Sequence, residues 1–371
     1  MADAGAAGWE EQADKARSEA SATVVGIGFK GPSGGDALLS PDPKDPDSLE
    51  AMKPLHALAA LLALPLALGE GEVEISTDGG PFATFHHGEE DRVPFLWPVL
   101  GPGGVEVTRA FPMEKAREGE SPDHPHHTSL WFAHGDVSGH DFWHDRDGAR
   151  IVPAGDVEVA EEDGAVRVTS AHRWVTGERV PLLEEARTMT FRDLDGGRAI
   201  DLDLRLTALR DVTFGDTKEG TFALRLHPAL RPKGEVARGT AMNSEGDDAI
   251  WGKRARWVDY WGPVPHGEEE RVLGVAVLDH PENLRHPTWW HARDYGLVGA
   301  NPFGVHDFER KPAGTGDHAL AEGETLRLRY RVWIHEGPGD AAVIERGWRR
   351  WAGVKATREE PAATEGEGGE G

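Results

Sequence analysis

Two long stretches of alternating character, Ala186–Phe191 and Ala199–Leu206, flank the tripeptide Asp195-Gly196-Gly197. Successive side chains of a strand point to opposite faces, and an Asp-Gly turn returns the chain antiparallel to itself. The same period of two recurs at Val73-Glu74-Ile75-Ser76, Val105-Glu106-Val107-Thr108, Val157-Glu158-Val159 and Val166-Arg167-Val168-Thr169. Thr221–Leu226, Val272–Leu278 and Leu326–Ile334 continue the series. Closely spaced strands divided by Gly, Asp and Pro turns predict an all-β fold, a large antiparallel β-sandwich formed as a single domain over residues 70–354. Only Ala341–Trp351 has a helical pattern, with Val343, Ile344, Gly347 and Trp351 to one side, and it is expected to close the sandwich as a short C-terminal helix. A chain of 371 residues has enough length to bury a substantial core.

The flanks read differently. Residues 1–51 are rich in Ala, Gly, Ser, Asp and Pro, and they read as a disordered extension or a mis-assigned start. Gly26-Ile27-Gly28-Phe29-Lys30-Gly31 matches the spacing of a dinucleotide-binding fingerprint, but Pro32, Gly34 and Gly35 follow where that motif needs a helix. Met52-Lys53-Pro54 precedes the apolar run Ala57–Leu68, which gives residues 52–69 the layout of a signal peptide. The expectation is that Met52 is the true start and the protein is secreted or periplasmic. The alternative is an ordinary helix in a longer cytoplasmic protein. The run is shorter than the ~20 residues a membrane span needs, so membrane integration is not expected. Residues 355–371 read as a disordered, acidic, Gly-rich tail.

Charge and composition exclude several functions. A formal net charge of −25 repels phosphate backbones and anionic lipid, which disfavours nucleic acid and membrane surfaces as partners. There is no cysteine, so disulfides, thiolate metal sites and cysteine nucleophiles are impossible. A small-molecule or glycan ligand remains compatible.

Four segments concentrate chemistry: His124–Asp136 with His140–His144, Phe214–Gly220, Trp251–Trp261, and Asp279–Gly296. Large aromatic rings cover the C–H faces of sugars, while histidines and carboxylates bind hydroxyls and carry protons. His127, His134 and His291 are candidate proton carriers, with Glu219 as partner acid or base and Lys218 beside it. Lys218, Arg225 and Arg293 have the chemistry to neutralise a developing oxyanion. His126, Trp131, Asp136, Arg225, Trp251, Lys253, Trp290 and Arg293 are candidate substrate-binding residues. The simpler reading of Trp131, Trp143, Trp257 and Trp261 is core, and that of the Asp216–Glu219 loop is a solvated turn. His134-Gly135-Asp136 would place two side chains on one face of a strand, and with His291 they would form a two-histidine, one-carboxylate iron site. No cofactor is otherwise specified. Walker, His-Glu-x-x-His and Gly-x-Ser-x-Gly motifs are absent from the sequence.

The runs at His126–Asp136, Phe214–Gly220, Trp251–Tyr260 and His280–Gly304 resemble the PmoA-like family over about Glu72 to Gly337. That family is named after a methane monooxygenase subunit, yet the body lacks the apolar spans of such a membrane protein. The resemblance implies a mutarotase-type β-supersandwich and a setting of carbohydrate breakdown. Three functions compete: a carbohydrate-active enzyme working by His/Glu acid–base chemistry on a sugar or oxidised sugar, a non-haem iron oxygenase, and a sugar-binding protein without catalysis.

Overall fold

The computed structural model describes residues 71–354. The expectations for 1–51, 52–69 and 355–371, the signal-peptide layout and the dinucleotide-like motif among them, lie outside the described residues.

Two antiparallel sheets carry the fold. The first has seven strands in the spatial order Glu72–Thr77, Gly80–His86, Phe95–Val99, Leu130–His134, Gly220–Arg225, Leu297–Asn301, Trp289–Ala292. The second has nine strands. Its main path runs Thr240–Asn243, Trp257–His266, Glu269–Asp279, Thr325–Glu336, Gly197–Ala208, Pro181–Leu194, Ala165–Val175, Arg150–Pro153, and Glu158–Glu162 also pairs with Ala165–Val175. Val212–Phe214 and His318–Leu320 form a separate two-stranded ribbon. The expected large antiparallel β-sandwich with a short C-terminal helix is the observed architecture.

The hairpin signal reads through directly. Leu194 pairs with Gly197, leaving Asp195 and Gly196 as the turn, and Gly196 takes the positive φ of 71° that such a turn requires. Between the sheets, Phe82, Phe85, Phe132 and Phe222 meet Leu204, Val275 and Tyr330 in one apolar cluster. Phe222 and Tyr330 stack at 4.7 Å across the two layers. The helix Ala341–Ala352 lays Ile344 and Trp348 on Trp257, Ala276 and Leu278 of the nine-stranded sheet. Its Asp340 carboxylate accepts from the N–H groups of Ala342 and Val343, and Gly353 ends it in the left-handed conformation.

One expected strand is not a strand. Val105–Thr108 makes only the isolated bridges Leu100 to Glu106 and Thr108 to Leu226. Val105 and Val107 are buried, so the alternation is real, but the chain leaves the sheet there to start a long loop. Among the described residues no helix is long and apolar enough to cross a membrane.

A polar seam interrupts the apolar interior. Glu185 is buried and accepts from Arg187 Nε at 2.7 Å and Trp174 Nε1 at 2.8 Å. His172 lies 3.7 Å from the same carboxylate, and Phe85 of the facing sheet borders both His172 and Arg187.

Candidate functional site

Register assembles the site. Trp131 pairs with Ala223, Ala223 with Gly299, and Gly299 with His291. Directly opposed residues in an antiparallel sheet share a face, so Trp131 and His291 flank a floor of two small residues, Ala223 and Gly299. Next to them run Arg225, Leu297 and Arg293, where Arg225 pairs with Leu297 and the Arg293 N–H donates to the Leu297 carbonyl. On the other side Gly135 meets Glu219, its N–H donating to the Glu219 carbonyl at 2.7 Å. This is the outer face of the seven-stranded sheet. Loops following Thr108 and His134 fold over it and deliver His126, His127, Trp143 and His144.

The rings then touch in sequence. His127 stacks on Trp131 at 5.2 Å, and Trp143 packs 5.0 Å from Trp131. Trp143 also lies near-parallel to His291 at 6.5 Å. His126 sits 4.5 Å from His127 and 4.4 Å from His144. Trp251 meets His291 edge-on at 5.0 Å, and the Arg293 guanidinium lies 3.8 Å over the Trp251 ring. Segments as far apart in sequence as His126 and Arg293 therefore share one region.

Protonation follows from burial. His291 is pushed down to about 4 by burial; the Glu219 charge and the Lys218 carbonyl oppose that shift, and Arg293 adds to it. Its Nδ1 is buried without a hydrogen-bond partner. Burial pushes Glu219 up, but the Lys218 ammonium at 3.0 Å and the nearby His291 and His144 outweigh it, and the carboxyl ends below its usual range. His126 is pushed down to about 3 by burial and by His144. His127 is driven far below the usual imidazole range by burial, then by His126 and Arg225. Arg225 donates to His127 Nδ1 at 3.1 Å, which occupies the acceptor nitrogen. His127 is thus a fixed hydrogen-bond donor through Nε2 and is not placed to take up a proton.

Several expected residues stand elsewhere. His134 projects from the opposite face of its strand, packs on Phe214 and Phe303, and holds the Gly215 carbonyl through Nε2 at 2.8 Å. It is not a proton carrier of this site, because strand alternation puts it opposite Trp131. Trp290 faces the same inner side, donates Nε1–H to the Ala255 carbonyl and is fully buried. Asp136 accepts from the Gly139 N–H and closes a turn. Lys253 is exposed and lies 3.9 Å from Asp247. Trp131 belongs to the site, but as a buried wall beneath His127.

The iron reading fails on donor geometry. Nε2 of His134 is engaged, His134 and His291 occupy opposite faces, and no group of three His, Asp or Glu among the described residues is arranged to hold a metal ion.

Sequence reasoning missed Asp123 and Arg109, and it included His144 and Tyr295 in its segments without giving either a role. Asp123 Oδ1 accepts from Arg109 at 2.7 Å and Arg225 at 2.8 Å, and Arg225 lies 4.5 Å over the Tyr295 ring. The signal was the pair of arginines on strongly apolar runs, since a buried guanidinium needs a carboxylate.

Gly220 shows how tightly the two faces are separated. A Cβ there would lie 2.5 Å from Nδ1 of His134. Gly220→Ala is expected to cost about 1–3 kcal/mol by overpacking, measured as a lowered urea midpoint at unchanged slope.

Fold and site together define an antiparallel β-sandwich protein with a packed cluster of histidine and aromatic rings on the outer face of one sheet. The chain belongs to the family of unknown function DUF6807, whose model matches residues 72–349. This corrects the resemblance to the PmoA-like family, which spans nearly the same residues. No curated protein matches the chain. Among solved structures, galactose 1-epimerase from Lactobacillus acidophilus NCFM is similar at 10% identity and a TM-score of 0.35, covering 73% of this chain and 100% of that one.

Proposed function

We propose that the protein is a carbohydrate-active enzyme that moves a proton on a bound sugar or oxidised sugar. The observation that carries this reading is the array of His291, Glu219 and Lys218 beside Trp251 and Trp143. A neutral imidazole with a free lone pair accepts a proton. The ionised Glu219 stabilises the imidazolium that forms, and Lys218 holds Glu219 ionised. Trp251 supplies an apolar ring for a C–H face, and His127 Nε2–H and Tyr295 supply polar contacts.

The chemistry favours isomerisation or elimination over hydrolysis. Glycoside hydrolysis ordinarily employs two carboxyl groups, one of them protonated. The second carboxylate here, Asp123, is shared by two guanidinium groups and lies below its usual pKa, burial being outweighed by Arg225 and Arg109.

The test is NMR of reducing sugars and keto-glycosides in D2O with wild type and Glu219→Gln. Wild type is expected to exchange or transform at least one, and the variant to slow it by about 10²-fold or more. Equal rates on every substrate would remove Glu219 from the chemistry. Retention of a sugar without exchange would favour a binding protein.

A further inference from the structure

We propose that the ligand of this site is a sugar acid, and that its carboxylate is anchored on Arg293. The inference rests on the sugar reading above and narrows it to anionic sugars. Arg293 is half-buried, and its guanidinium lies flat on Trp251 at 3.8 Å. Among the described residues it has no carboxylate within ion-pair distance and no side-chain hydrogen bond. Its Nε is buried without a partner. The terminal nitrogens are the ones left to a ligand, and a planar guanidinium held on an aromatic ring offers them as a two-pronged donor that a carboxylate matches.

The surrounding charge agrees. Asp123 is shared between Arg109 and Arg225, so that trio keeps an uncompensated positive charge. Lys218 and Glu219 cancel. His126, His127 and His291 are all held neutral by burial. With Asp141, 3.0 Å from His144, counted as well, the three guanidinium groups of Arg109, Arg225 and Arg293 still outnumber the carboxylates of Asp123 and Asp141, in a chain whose formal charge is −25. Such a chain repels anions in general, so a positive site selects the anion that also fits the aromatic wall. Carboxylate and acid–base apparatus also lie at a workable spacing, because Arg293 and His291 both contact Trp251.

The test is calorimetric binding of D-glucuronate and D-galacturonate, their neutral methyl esters, D-glucose, D-galactose and lactate to wild type, Arg293→Gln and Arg293→Lys. One of the two uronates is expected to bind wild type about tenfold to a hundredfold more tightly than its ester. Arg293→Gln is expected to abolish that preference with an unchanged melting temperature, and Arg293→Lys to keep only part of it, since an ammonium lacks the fork. Equal affinity of acid and ester would overturn the carboxylate assignment and leave the sugar reading standing. Lactate binding as tightly as the uronates, with the same dependence on Arg293, would overturn the sugar reading instead. No heat with any of these probes would count against the proposal, as would a uronate preference that survives Arg293→Gln.

Discussion

Glu185→Ala is expected to destabilise the protein by about 3–5 kcal/mol, because it strands a buried cation. The carboxylate is fully buried and, among the described residues, is the only carboxylate partner of Arg187, itself 3% exposed in its side chain. It also takes the Trp174 indole N–H. Removing it leaves the guanidinium between two sheets, next to Phe85, with one weak bond to the Pro94 carbonyl. At the size of this folded body that loss corresponds to a fall in Tm of order ten degrees. The control is one residue away. Glu184 pairs with Arg173, both side chains are half-exposed, and Glu184→Ala is expected to change stability by no more than about 0.5 kcal/mol. Thermal unfolding of the two variants decides the matter, and equal melting temperatures would mean that the seam does not hold the sheets.

The sign of the pH dependence is also set. Burial raises the Glu185 pKa, but Arg187, His172 and the Trp174 N–H bring it below the usual value. A depressed carboxyl contributes stability above its unfolded pKa and loses it as pH falls through the folded one. The gap between wild type and Glu185→Ala should therefore narrow in acid.

His291→Asn is expected to lower turnover by about 10²–10⁴-fold, the usual range for loss of a general base, with a much smaller change in substrate affinity. Asparagine keeps a polar side chain in a 2% exposed position, so the fold should persist. With the imidazole pKa pushed down to about 4, the wild-type base is deprotonated at neutral pH. The rate should be level from neutrality to weak acid and fall as pH drops through about 4. Steady-state kinetics over pH would show this limb vanish in the variant. Survival of the limb would assign it to another group.

The alternating runs, the Asp-Gly turn and the amphipathic C-terminal stretch were legible because each depends on residues near one another in the chain. The His, Trp and acidic segments of the site were legible as a group too, since so many ionisable and aromatic residues crowd a few loops. What the residues did not reveal was the side on which each would stand. His134 and Trp131 share one strand, as do Trp290 and His291, yet the members of each pair point to opposite layers. Period two normally tells inside from outside. Here Leu130–His134, Gly220–Arg225, Leu297–Asn301 and Trp289–Ala292 are buried on both faces, the inner against the second sheet and the outer beneath the loops. Burial on both sides erases the polar row from which orientation is read.

Local sequence thus determined the strands, the hairpin and the closing helix, because side-chain direction and turn geometry are properties of neighbouring residues. Tertiary structure alone decided which histidine faces the site, which acid Arg225 meets 102 positions away, and that Arg293 meets none among the described residues. Those outcomes depend on strand order and on loops folding across a sheet, where burial and charge pairing between remote segments set the energy.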